Sequence, residues 1–171
     1  MSADFTIHVC KTKKEEYQAE LFLKCDCYSS EVGNAYTEVK VNGEWISLRD
    51  YDYEAETEDM RTIAIPDLDD KVIYKTKSIF IGEVSWLKAS LFEDGGDYIP
   101  DVVASISELI DGLTVIDDEL IEKVKEAFQQ PNNTIQENGV WGGNGYKLND
   151  PKKVIKFLKQ HKGRKCFTVS W

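Results

Sequence analysis

The chain predicts an α+β protein, an antiparallel, strand-rich N-terminal half packed with a helix-rich C-terminal half and closed by a final C-terminal strand. Three observations carry this. Apolar residues recur with period two through much of residues 1–85. From Trp86 onward the period changes to 3.6. The last residues, "RKCFTVSW", return to a β-forming pattern. With 171 residues, 42% of them hydrophobic, the chain suits one domain, strand-rich over 1–85 and helix-rich over 86–171. No internal repeat or low-complexity linker marks a boundary.

The opening "ADFTIHVC" sets Phe5, Ile7 and Val9 against Thr6, His8 and Cys10, and reads as a strand. Thr12 with Glu15 three residues on is a capping-box signal for a short helical turn. In "AELFLKCDCYSS", Leu21, Leu23, Cys25 and Cys27 alternate with Phe22, Lys24, Asp26 and Tyr28, which favours a strand over a competing helix from Lys13 to Lys24. Asn42-Gly43 lies between two β-rich flanks, "AYTEVKV" and "EWISLRD". Both residues tolerate the positive φ of a type I′ turn, so this is a hairpin. "RTIAI" stops at Pro66, and "KVIYKTKSIFIGEVSW" supports one long strand or two short ones.

The second half begins with "PDVVASISELIDG", which gathers Val102, Val103, Ile106, Leu109 and Ile110 on one helical face and stops at Gly112. In "IDDELIEKVKEAF", Asp117 is the N-cap, Ile116 is placed to staple onto Ile121, and Leu120, Ile121, Val124 and Phe128 form the face. "QPNNTIQENGVWGGNGYKLN" breaks the pattern as a loop or loose hairpin. "DPKKVIKFLKQHKG" is then a helix, with Asp150 as cap, Pro151 in its first turn and Gly163 at its end.

No apolar run is long enough to span a membrane, and "MSADFTIHVC" has neither a basic n-region nor a long apolar h-region. A cytoplasmic location with reduced cysteines is the expectation. The formal net charge is −10 and unevenly spread. Residues 147–171 hold eight bases (Lys147, Lys152, Lys153, Lys156, Lys159, Lys162, Arg164 and Lys165) against Asp150 alone. Of the 21 Lys+Arg and 31 Asp+Glu in the chain, 13 bases and 30 acids therefore fall in residues 1–146, a net of −17. An acidic body with a basic C-terminal segment argues against direct binding to nucleic acid, and admits a homodimer in which the segment docks on a second copy.

Signatures of phosphate-binding loops, zinc proteases and serine hydrolases are absent, and only two histidines are present. His8-x-Cys10 with Cys25-x-Cys27 is the most metal-like set, but its one-residue gaps do not match common zinc modules. The expectation is core packing, with His8 satisfied by a backbone partner, and neither metal nor cofactor. "GGNG" between Trp141 and Tyr146 offers Trp141, Gly143, Gly145 and Tyr146 as a ligand loop, although Asp150 would stand where an anion should sit. "FEDGGDYIPD", with Asp94 and Asp97, is a second loop of the same kind.

The most pointed feature is "DYDYEAETED", which places Asp50, Asp52, Glu54, Glu56 and Glu58 at alternate positions, with Asp59 closing the run and no Lys or Arg among them. In an extended segment these carboxylates share one side at intervals of ~6.6–6.8 Å. Such a row can imitate a phosphate backbone towards a basic groove. Its alternative is a solvated edge whose charge blocks strand pairing. The expectation is a small acidic interaction protein, not an enzyme, that binds a basic surface of another protein. An inhibitor, immunity or regulatory factor of bacterial or phage type has this size and charge. A ligand-binding or enzymatic module built on the glycine loops is the rival.

Overall fold

The structure, a computed structural model, describes residues 2–25, 27–29, 33–48, 59–65, 76–86, 97–98, 101–129 and 148–170. They form an α+β fold of two antiparallel sheets with four α-helices. Backbone contacts divide the chain into two compact units: residues 1–11 with 76–171, and residues 12–75.

The first unit is a five-stranded sheet of order β7-β6-β1-β9-β8. Its strands are β1 (Ser2–Val9), β6 (Lys77–Trp86), β7 (Asp97–Tyr98), β8 (Thr114–Val115) and β9 (Lys165–Ser170). The predicted C-terminal strand is thus an interior one, paired antiparallel with β1 from Phe5↔Ser170 to Val9↔Cys166. β1 pairs on its other side with β6, where Phe5 faces Gly82 and Thr6 faces Phe80. Ile81 is the extra residue of a bulge there, and it is fully buried. The bulge carbonyls do not go unpaired. Asn149 donates its backbone N–H to Ile81 O at 2.8 Å and its side-chain amide to Phe80 O at 2.7 Å.

Three helices cover one face of this sheet: α2 (Asp101–Leu109), α3 (Asp118–Ala127) and α4 (Pro151–Gln160). The last two begin where the sequence places their start signals. Asp117 accepts from Leu120 N–H at 2.8 Å, and Ile116 and Ile121 lie in the same buried cluster, as a hydrophobic staple requires. Asp150 accepts from Lys152 N–H at 2.9 Å with Pro151 in the first turn. Gly163 beyond α4 takes φ 85°, where a side chain would be strained. Phe5, Ile7, Val9, Ile81 and Cys166 from the sheet meet Val102, Ile106, Ile121, Val124, Val154 and Leu158 from the helices in one core. Replacing Asp117 with alanine is expected to destabilise the fold by about 1 kcal/mol, measured by urea unfolding, because Leu120 N–H loses its acceptor.

The second unit contains α1 (Lys13–Lys24) and a sheet in which β3 (Gly33–Val41) pairs with β2 (Cys27–Ser29), β4 (Glu44–Ser47) and β5 (Asp59–Ile65). The Asn42-Gly43 hairpin is present, with φ 51° and 87° at the two turn residues. The strand favoured for residues 19–30 is corrected. Lys13–Lys24 is a helix, and strand begins only at Cys27. The reason is local. Thr12 Oγ1 accepts from Glu15 N–H at 3.2 Å while Glu15 Oε2 accepts from Thr12 N–H at 3.3 Å, so the box starts a helix that Lys13–Glu16 and Glu20–Lys24 pairs extend. Alternation over Leu21–Cys27 was too short to outweigh that start. Among the described residues no helix is long and apolar enough to cross a membrane.

Candidate functional site

Of the metal-like set, His8 and Cys10 are packing residues, and the side chain of Cys27 lies outside the described residues. His8 is only 4% exposed. Its Nδ1 lies 2.9 Å from Thr76 Oγ1 and its Nε2 3.2 Å from Thr6 Oγ1, and the ring stacks on Phe167 at 5.3 Å. Hydroxyls therefore satisfy it, and the expected backbone partner is corrected. The pairing explains the stack, because β1 and β9 set His8 opposite Phe167. Burial lowers the His8 pKa from 6.5 to about 4. Cys10 and Cys166 are buried thiols, and burial, with Cys10 near by, pushes Cys166 up to about 12. Cys25 does not stand on a strand; it is the C-cap of α1, its N–H bonded to Phe22 O. Among the described residues, no three His, Cys, Asp or Glu side chains come together as a metal-holding group.

His161 ends α4, with its ring edge-on to Phe157 at 4.7 Å. Burial lowers its pKa first, and the charges of Arg164, Lys77 and Lys11 lower it further. Its buried Nδ1 has no hydrogen-bond partner among the described residues.

Of the acidic run, Asp50, Asp52, Glu54, Glu56 and Glu58 lie outside the described residues; Asp59 opens β5. What the structure supplies is the run's anchorage. Ser47 ends β4 opposite Glu38, and Asp59 begins β5 opposite Lys40, so the run joins strands on opposite sides of β3. The face between these anchors is charged and aromatic. Two-residue hairpin register puts Trp45 opposite Lys40, and β5 puts Arg61 opposite Glu38. The Arg61 guanidinium sits 4.3 Å over the Trp45 ring and holds Glu38 Oε2 at 2.6 Å through Nη2 and 2.8 Å through Nε. The Lys40 ammonium lies 5.8 Å from the same ring and 3.8 Å from Asp59. Both cations on this face are thus answered by a carboxylate and the ring's negative face. Sequence reasoning passed over Trp45 and Arg61, although the hairpin signal already implied the Lys40–Trp45 register.

At the other end of the same unit, a groove of about 650 Å³ runs between α1 and β3–β5, lined by Tyr17, Leu21, Tyr36, Ile63 and Ile65 among others. The ligand loop, Trp141, Gly143, Gly145 and Tyr146, lies outside the described residues, as do Asp94 and the side chain of Asp97.

The basic segment does form a surface. The exposed side of α4 carries Lys152, Lys156 and Lys159 along an open groove of about 630 Å³ shared with α3. Ile121, Pro151 and Ile155 line its apolar part, and the Glu122–Lys125 pair stands on the α3 side. Lys153, grouped with these lysines in the sequence, does not line it. Comparison with protein-family models, with curated proteins and with solved structures finds no match to this chain.

Proposed function

We propose that this is a small acidic interaction protein of the cytoplasm that binds a basic surface of another protein and performs no covalent chemistry, in the manner of an inhibitor, immunity or regulatory factor of bacterial or phage type. The observation that carries the reading is the run Asp50, Asp52, Glu54, Glu56, Glu58, which has no base within it and is tied at Ser47 and Asp59 to strands flanking β3. The adjoining face supports it. Arg61 is held by Glu38 and the Trp45 ring, and Lys40 stands 3.8 Å from Asp59 at the end of the run. Two buried groups of the first unit fit this reading, since burial keeps His8 neutral and Cys166 a thiol at neutral pH.

The test replaces Asp52, Glu54 and Glu56 together with serine. A recognition row must face solvent, and exposed charges contribute little to stability, so on this reading the variant unfolds within about 1 kcal/mol of the parent. Affinity capture at low and high salt should recover a basic partner with the parent chain. That partner should be lost at high salt, and the variant should capture it with a slower on-rate. A partner held equally by the two chains, or held equally at both salt concentrations, would overturn the reading. A variant that aggregates while still binding would assign the run to blocking strand pairing instead.

A further inference from the structure

A second surface, of opposite charge, lies on α3 and α4. The Lys162–Asp118 ion pair joins the end of α4 to the start of α3, so the two helices run antiparallel with the groove between them. Lys152, Lys156 and Lys159 fall at i, i+4 and i+7 on α4, one side of the helix over about 10 Å of its length. All three are exposed, and among the described residues none of them has an ion-pair partner. The lysines of α3 differ: Lys123 is held by Glu119 and Lys125 by Glu122, both at 2.7 Å. The groove thus has, on α4, a cationic wall that no described carboxylate answers, above an apolar strip of Ile121, Pro151 and Ile155.

We propose that this groove docks an acidic amphipathic helix of another protein, with its apolar stripe on Ile121 and Ile155 and its carboxylates on Lys152, Lys156 and Lys159. Charge complementarity selects the sign of the occupant, and the spacing selects its shape. Carboxylates three and four residues apart on a helix repeat at the pitch of the lysines they would meet. The apolar strip demands side chains that a bare polyanion lacks. Glu122 on the α3 side of the groove favours an occupant whose charge is confined to the edge facing α4, as on an amphipathic helix, over a backbone charged on all sides. The surface does not depend on the acidic run.

The probe is a fluorescein-labelled helical peptide of about four turns, with glutamates at i, i+4 and i+7 beside a leucine stripe. Its control is a scrambled peptide of the same composition. Fluorescence anisotropy with the full chain should show the patterned peptide bound and the scrambled one at least about tenfold weaker. Lys152→Glu, Lys156→Glu and Lys159→Glu combined should weaken the patterned peptide by about tenfold, the sum of three exposed pairs. Circular dichroism should show that variant folded, since these side chains make no described contact that supports the core. Hydrogen exchange on peptide addition should slow in α3 and α4. Equal binding of the two peptides, or an unchanged affinity in the triple variant, would overturn the proposal. So would tighter binding of single-stranded DNA than of the peptide. A parent chain that sediments as a dimer, and a triple variant that sediments as a monomer, would assign the groove to a second copy and overturn the occupant named here.

Discussion

Phe167→Ala is expected to cost about 3–5 kcal/mol of folding stability, the range for truncating a buried phenylalanine. Phe167 is fully buried in β9, an interior strand of the five-stranded sheet, so no exposed edge can collapse into the space it leaves. The loss is a large fraction of the total stability of a domain, about 5–15 kcal/mol. Urea unfolding at pH 7 measures it, with Phe167→Leu as the smaller perturbation of the same site. The substitution has a second readout. Phe167 stacks on His8 at 5.3 Å, so its removal admits water to the imidazole. The His8 pKa, followed by NMR, should rise from about 4 towards its ordinary 6.5. Loss of stability with no movement of that pKa would show that Phe167 is not what keeps His8 dry.

His8 itself makes stability depend on pH. Above pH 6.5 the imidazole is neutral in both the folded and unfolded chains and contributes no slope. Between 6.5 and about 4 the unfolded chain takes up a proton that the folded chain refuses. Stability therefore falls as pH falls, by about 3 kcal/mol across that window, and levels off below it. His161 shifts in the same direction, and carboxylates titrate near the lower end, so the measurement is a difference. His8→Gln, which keeps a polar group near Thr6 and Thr76, should lose the His8 share of the slope between pH 7 and 4.5. Parallel pH profiles for parent and variant would mean that His8 is protonated within the fold.

Local signals carried the sequence reading furthest. Caps and breakers act over four or five residues, and the structure keeps them: Thr12 with Glu15, Asp117 with Ile116, Asp150 with Pro151, and Asn42-Gly43. Where two local signals competed, over residues 13–28, the capping box prevailed, since it starts a hydrogen-bonded helix whereas alternation needs a partner strand to take effect. The basic row of α4 was legible only in part: the sequence groups Lys152, Lys153, Lys156 and Lys159 on one side against Val154, Ile155 and Leu158, whereas the groove takes Ile155 with the lysines and leaves Lys153 out.

What depended on distant pairing was not legible. Nothing in "RKCFTVSW" says that this strand lies beside β1, so neither the His8–Phe167 stack nor the hydroxyls that satisfy His8 could be read from either segment. β8 is two residues long and exists only through its pairing with β9. The bulge at Ile81 is anchored by Asn149, 68 residues away, and the groove needs Ile121 of α3 beside Ile155 of α4. The amino-acid sequence by itself determined the class of fold, the helix caps at Thr12, Asp117 and Asp150, the hairpin and the separation of charge, because each is written in neighbouring residues. Tertiary structure alone decided which buried groups meet, that His8, Cys10 and Cys166 are buried, and that the lysine row borders an apolar groove. Those contacts join segments far apart in the chain, and only the packed sheet brings them within reach.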